Sequence, residues 1–437
     1  MSTTTTTATT TTTGSIRLPK PAVLKELKPL PAFDVSTATD ERTKTLGQLL
    51  QKGHVTVAPL REPELILHSH LPHGSVQHLQ LLGSAYGIGA GIEQLTKSYE
   101  HEITTLVSID ERFVRGDQIE KANWRAHLQE KKFTVAFVDF FDEEVKKSGG
   151  DWKKVVEEYL YAGPEPLING YCGGLGHPFI HLAYAYEYGS KEVATQALSL
   201  GCTEYDGFHG LIDHPSPDNS TYKTTSLAEI MQRVHDDQRF DNIFALPGIT
   251  NTELLAEKYL HIVLEHWNAW EVVDPLQQLE QICDLSVLMA ISTGDAIASF
   301  DFFCIHLMTV AHAIRLLWIS IPKERHASIL KQFALFQIVQ YINQLRPAFG
   351  IEKLESVDVK GRDWEWVYST ALKHKWALDS HFFKVVRAPK VMQDTYGTKD
   401  GFYLKAALKF LDEFHGWEGF GAGVAGFDPK KDGYIPE

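Results

Sequence analysis

Cysteine is scarce in this chain. There are four (Cys172, Cys202, Cys283 and Cys304), far apart and without a CxxC pair. That excludes a disulfide-built scaffold and a cysteine-rich zinc module, and it suits a reducing compartment, so the expected location is cytoplasmic. Long apolar runs are missing as well: no stretch approaches the ~20 residues that a membrane helix needs. Positive charge is in deficit. Lys plus Arg number 42 against 56 Asp plus Glu, a formal charge of −14, which is a poor match for nucleic acid or an anionic bilayer. Several signature motifs are also lacking, namely GxSxG, HExxH and GxxxxGK[ST]. YGIGAGIEQL (86–95) and the tail run GFGAGVAG have close glycines but no strand–turn–helix context, so they read as packing rather than dinucleotide binding.

What is present is a 437-residue chain, 43% hydrophobic, with 20 histidines. Residues 1–14, MSTTTTTATTTTTG, are low-complexity and lack the apolar and basic regions of a signal peptide, so a disordered tail is expected. Residues 15–39 are punctuated by proline and read as an extended arm. From residue 40 to 437 the apolar spacing is helical nearly throughout, as in 74–99, 117–130, 177–200, 274–296, 300–319, 322–346 and 379–389. TVAFVDFF (134–141) is the one segment that reads equally as a strand or a helix start. FDFFCIHLMTVAHAIRLLWI has almost no polar side and must be central. The expectation is an all-α chain: a single large helical-bundle domain with a central buried helix and a Gly-rich C-terminal segment that could fold over an opening.

The histidines are the chemically informative residues, because imidazole is the commonest metal ligand and the commonest acid/base group near neutral pH. In HSHLPHGSVQHL, His70 and His73 precede a long apolar helix. In GHPFIHLAYAYEYG, His177, His181, Tyr184 and Tyr188 share one face, and Pro178 marks the helix start. His306 lies in the central helix between Ile305 and Leu307. His374, His381 and Lys384 share a face in HKWALDSHFFKVVRA. A single buried histidine is ordinarily a hydrogen-bonded core residue. Four of them on four apolar helices fit a metal site built between facing helices. The other grouping, His209, Asp213 and His214 in FHGLIDH, falls in a Pro-rich loop and reads as a solvated turn. Lys384 stands among Phe382, Phe383, Val385 and Val386. It is either a snorkelling lysine or an amine held neutral by burial, and a neutral amine can take up CO2 as a carbamate.

HSHLPH (68–73), GLGHPFIHLAYAYE (174–187), CIHLMTVAHAIRLL (304–317) and DSHFFKVVRA (379–388), in this order, resemble the questin oxidase-like family over roughly residues 40–415. The family's N-terminal Asn-His reads Ser69-His70 here, which keeps His73 as the alternative ligand. The resemblance implies an oxidoreductase that opens anthraquinone-type rings of aromatic polyketides, formally a Baeyer–Villiger oxidation, in fungal secondary metabolism. One branch is a non-haem iron dioxygenase. Carried over, it implies an Fe(II) site of His70, His177, His306 and His381, with Lys384 as a CO2-derived carbamate. His73, His181 and Tyr184 would then orient phenols or move protons, with O2 and an aromatic polyketide as the small-molecule partners. Trp417 and Phe420 could cover a flat substrate. NADPH remains an option as an external reductant. Two rival readings are a metal-free, NADPH-dependent Baeyer–Villiger-type enzyme and a non-catalytic polyketide-binding helical protein. A zinc hydrolase ranks behind both, because four histidines and a carbamate leave little room for an open tetrahedral site.

Overall fold

A computed structural model describes residues 15–61, 77–104, 106–109, 113–114, 118–293 and 300–420. Helices dominate. In chain order they are α1 (Glu41–Thr56), α2 (Gln77–Gly87), α3 (Ile92–Ile103), α4 (Thr134–Lys147), α5 (Trp152–Leu160), α6 (His177–Tyr188), α7 (Lys191–Thr203), α8 (His209–Asp213) and α9 (Leu227–Asp236). There follow α10 (Asn251–Leu254), which passes through a π-helical turn at Leu255–Tyr259 into α11 (Leu260–Ala269), then α12 (Pro275–Ser292), α13 (Phe302–Leu317) and α14 (His326–Asn343). The last are α15 (Glu352–Glu355), α16 (Trp364–Leu372), α17 (Ser380–Tyr396) and α18 (Phe402–Glu413). Strand structure among the described residues is confined to two short pairs. β1 (Val57–Arg61) runs antiparallel to β2 (Leu106–Ser108), and β3 (Phe300–Asp301) runs parallel to β4 (Trp417–Glu418). The all-α expectation holds, and no described helix is long and apolar enough to cross a membrane. The tail 1–14 lies outside the described residues.

The central helix is α13. Its sequence has no glycine or proline to break it, and Phe302–Arg315 and Leu317 are all buried. Asp301 starts it by accepting from the backbone N–H groups of Phe303 (2.8 Å) and Cys304 (2.7 Å), an N-cap that satisfies two donors of the first turn. Burial pushes the Asp301 carboxyl up to about 7. Around α13 pack α6, α12, α14 and α17, and α2 lies against both α6 and α17. The four cysteines are unpaired and buried.

Several sequence-derived boundaries need correction. The segment 177–200 is two helices. Gly189 closes α6 in the left-handed region (φ 61°), and Ser190 caps α7 by accepting from Val193 N. TVAFVDFF resolves as the start of α4, which packs on α7. Among the described residues of 117–130 no α-helix forms, and a 3₁₀ turn spans Trp124–His127; the apolar residues Ile119, Trp124 and Leu128 are too sparse to bury a helix face. Conversely, α17 runs on through Pro389 to Tyr396, because Met392 and Tyr396 keep its buried face continuous.

Residues 16–35 cross the bundle without regular structure. Ile16 N and Ala22 N donate to Gln232 Oε1 (3.1 Å) and Glu280 Oε1 (2.6 Å), and Val35 N donates to the Tyr188 carbonyl (3.0 Å). A buried ion pair, Arg387 of α17 with Glu187 of α6, ties together two helices that carry the site. Gly87 of α2 leaves room for it, since a Cβ there would come within 2.3 Å of Arg387 Nε. Removing one partner of such a pair strands a charge in the core. Glu187→Ala should therefore lose about 3–5 kcal/mol, read as a lower urea midpoint, and the double variant Glu187→Leu/Arg387→Met should recover most of it. Equal losses in the single and double variants would show that the pair is not what fixes α6 to α17.

Candidate metal centre

Three helix starts converge on one point. His177 is the first residue of α6, His306 sits in the second turn of α13 and His381 is the second residue of α17. All three are buried, and their candidate ligand atoms lie within 4.8 Å of one another. The ring centroids of His177 and His306, and of His306 and His381, are 5.0 Å apart.

Each element contributes a device that aims its imidazole. Gly176, ahead of α6, has φ 73°, and a Cβ there would meet Val310 Cγ2 of α13 at 2.3 Å, so only glycine permits this close approach. The His177 Nδ1–H donates to the Gly174 carbonyl at 2.5 Å, and the His306 Nδ1–H donates to the Phe302 carbonyl at 2.6 Å. A carbonyl can only accept, so both rings are the Nδ1–H tautomer and present the Nε2 lone pair. In α17, Asp379 Oδ1 caps the helix by accepting from His381 N (2.8 Å) and Phe382 N (2.9 Å). Its Oδ2 accepts from the Trp417 indole at 2.8 Å. Phe302 packs between His306 and His381, with centroids at 4.8 and 4.5 Å.

The donor set fits a divalent cation. His177 Nε2 is buried with no hydrogen-bond partner, an arrangement that costs free energy unless something fills it. Burial first, then the neighbouring His306 and Lys384, hold the His177 pKa well below its ordinary value, so the ring is neutral, as a ligand must be. Ligand nitrogens around one ion at about 2.1 Å sit about 3–4 Å apart, a modest contraction of the observed triad.

Lys384 lies one turn beyond His381 and is buried. Burial brings its pKa down to about 7, opposed by the carboxylates of Asp379 and Glu102. Its Nζ donates to Gln80 Oε1 at 2.6 Å. That contact orients the amide, with Gln80 Nε2 at 3.0 Å from His181 Nδ1, which also lies 3.2 Å from the His177 carbonyl. Burial, with a smaller contribution from Lys384, lowers the His181 pKa to about 3. Sequence reading missed Gln80. It is one of several polar residues of α2, and nothing local announces a partner 304 positions away.

The other sequence candidates fall elsewhere. His70 and His73 lie outside the described residues, as does the Gly-rich segment after residue 420. The Tyr184 hydroxyl shares a 2.6 Å hydrogen bond with Ser84 Oγ of α2. His374 stacks on Phe382 with centroids 4.8 Å apart. His209 and Asp213 form an ion pair at 2.7 Å, while His214 turns away to Glu165 at 2.9 Å. Trp417 and Phe420 are both buried next to the triad: Trp417 is 6.0 Å from the His381 ring centroid and Phe420 is 5.1 Å from that of Phe302.

The family model described as questin oxidase-like matches residues 67–389, a span that contains the triad, Gln80 and Lys384. The chain belongs to the questin oxidase-like family. Among curated relatives it is similar to the Baeyer-Villiger oxidase AgnL3 of Paecilomyces divaricatus, 24% identical over 192 residues, which is 41% of this chain and 39% of that one. It is also similar to a questin oxidase of Aspergillus fumigatus, 26% identical over 185 residues (41% and 40% of the two chains). A questin oxidase of Aspergillus terreus is 22% identical over 363 residues, 74% of each chain. The chain thus spans about two fifths of the length of the first two relatives.

A further histidine of this questin oxidase-like chain, His312, is buried in α13 with its Nε2 unpartnered. Burial, then the guanidiniums of Arg387 and Arg315, keep its pKa well below the ordinary value. An unfolded histidine takes a proton near pH 6.5, while folded His312 does not. The unfolded state therefore binds more protons below that pH, and stability falls as pH falls, by up to about 1.4 kcal/mol per unit. His312→Leu should weaken this acid dependence by about 1 kcal/mol between pH 7.5 and 5.5, measured from urea midpoints. An unchanged pH slope would mean that His312 is protonated in the folded chain.

Proposed function

We propose that the chain is a non-haem iron-dependent oxidoreductase, a dioxygenase that cleaves a C–C bond of an anthraquinone-type ring in fungal aromatic polyketide biosynthesis. The observation that carries the reading is the buried triad of His177, His306 and His381, two of whose rings the backbone pre-aims. The relatives named questin oxidase and Baeyer-Villiger oxidase support the substrate class and the ring-opening outcome.

In this reading His177, His306 and His381 hold the ion together with His70, or His73 in its place, and Lys384. Iron bound there would supply redox chemistry with O2 and polarise substrate oxygens. The protein's own contributions follow from the geometry. The lysine amine, with its pKa near 7, is substantially neutral at physiological pH. It can add to CO2, forming an N–C bond and releasing one proton, to give a carbamate that balances the charge held by neutral imidazoles. Gln80 Oε1 holds the nitrogen in place in either form. His181, kept neutral, exchanges a proton with a phenolic substrate. Phe302, Trp417 and Phe420 exclude water from the triad, which strengthens every polar interaction there.

A second reading, a metal-free NADPH-dependent enzyme, is favoured by the name Baeyer-Villiger oxidase in two relatives. Metal content and oxygen uptake decide between the two. Purified protein should contain about one iron per chain. His306→Ala and Lys384→Ala should lower both iron occupancy and the O2 uptake driven by a hydroxyanthraquinone by at least about 100-fold. Full turnover by chelator-treated protein, or wild-type turnover in Lys384→Ala, would sink the iron–carbamate scheme.

A further inference from the structure

A cavity of about 510 Å³ lies between the Gly173–Leu175 segment, the 203–208 loop, the π-helical turn and α14. Its volume is that of a site for a drug-sized ligand. Its position relative to the triad is specific. Gly174, whose carbonyl takes the His177 Nδ1 proton, belongs to the cavity wall. The cavity therefore borders the backbone segment that orients that ring.

The lining has two kinds of surface. Leu175, Phe208, Ile249, Phe336 and Val339 form apolar walls. The charged groups are mostly carboxyls, Glu204, Asp206 and Glu253, with Lys131 the one cation among the lining residues; amides and hydroxyls, Gln129, Gln340, Thr203, Tyr205 and Thr252, make up the remaining polar surface. Lys131 Nζ is already engaged by Glu204 Oε1 at 3.0 Å. Gln340 is buried, and its Oε1 has no hydrogen-bond partner. Burial raises the Glu204 carboxyl above the usual range and Asp206 to about 6. Three carboxyl groups against one paired lysine exclude phosphates and other anions by repulsion, so a dinucleotide such as NADPH does not suit this cavity. The complementary ligand has an apolar body and hydrogen-bond donors at its edge.

The geometry points to a second small-molecule site behind His177 that takes a planar, uncharged, hydroxylated aromatic, separated from the triad by the Gly173–Leu175 backbone. Aromatic faces fill the space between the apolar walls, and edge hydroxyls donate to Gln340 and to the carboxyl groups. The site rests on the proposed function only for the choice of probe.

The test uses the full chain freed of metal, titrated with 1,8-dihydroxyanthraquinone and followed by absorbance. Its disulfonate counterpart serves as the charged control. Val339→Phe and Ala256→Phe fill the cavity from its wall and from its half-buried edge, and His306→Ala alters the triad alone. The expected result is affinity lowered about tenfold or more in both filling variants and for the disulfonate, and held within about threefold in His306→Ala. Equal binding by a filling variant that keeps the wild-type circular dichroism and melting temperature would overturn the proposal. So would loss of binding in His306→Ala alone, or absence of binding by the unsubstituted chain. Because no metal is present, failure of the iron reading leaves this titration intact, and failure of the titration leaves iron content and oxygen uptake unaffected.

Discussion

The site depends on three imidazoles buried at the starts of three helices, two of them fixed in direction by the backbone. Burial alone would favour the neutral form, but it would not decide which nitrogen carries the proton. Two backbone carbonyls do that. Gly174 and Phe302 each take an Nδ1–H, so both rings present Nε2 toward the triad. The carbonyls are dependable partners because they belong to helix starts, where the chain geometry is set by caps rather than by side-chain rotamers.

The rest of the architecture serves to keep those helix starts together. Asp301 and Asp379 cap α13 and α17, and Gly176 lets α6 approach Val310. The Arg387–Glu187 pair joins α17 to α6 a few turns away, with Gly87 opening the space for it. Trp417 closes the arrangement from the C-terminal side by donating to the capping Asp379. A displacement of any one helix would move a ligand nitrogen by more than the tolerance of a metal site. The buried polar network is thus a positioning device whose cost is met by the large apolar core around α13.

The sequence made a substantial part of this legible. The apolar run of α13 required a central helix, and His-Pro after glycine marked the start of α6. The phase of His381 and Lys384 along an apolar helix left Lys384 either snorkelling to water or buried, and it is buried. Other features were not legible. The break at Gly189 was hidden because the apolar pattern continues across it, and only the left-handed turn separates α6 from α7. Gln80 was hidden because its partners, Lys384 and His181, come from two other helices. His209, Asp213 and His214 read as a solvated turn; they form the short α8 and its end, where His209 faces Asp213 and His214 turns to Glu165.

By itself, then, the sequence determined the helical class, the central helix and the short list of histidines and the lysine able to do chemistry. These follow from periodicity and residue type, which are local properties. The tertiary structure alone decided that His177, His306 and His381 meet within 4.8 Å, that the tautomers of His177 and His306 present Nε2, and that Lys384 is clasped by Gln80. Those outcomes depend on how helices separated by more than a hundred residues pack, and packing is set by the summed burial of whole faces rather than by any motif.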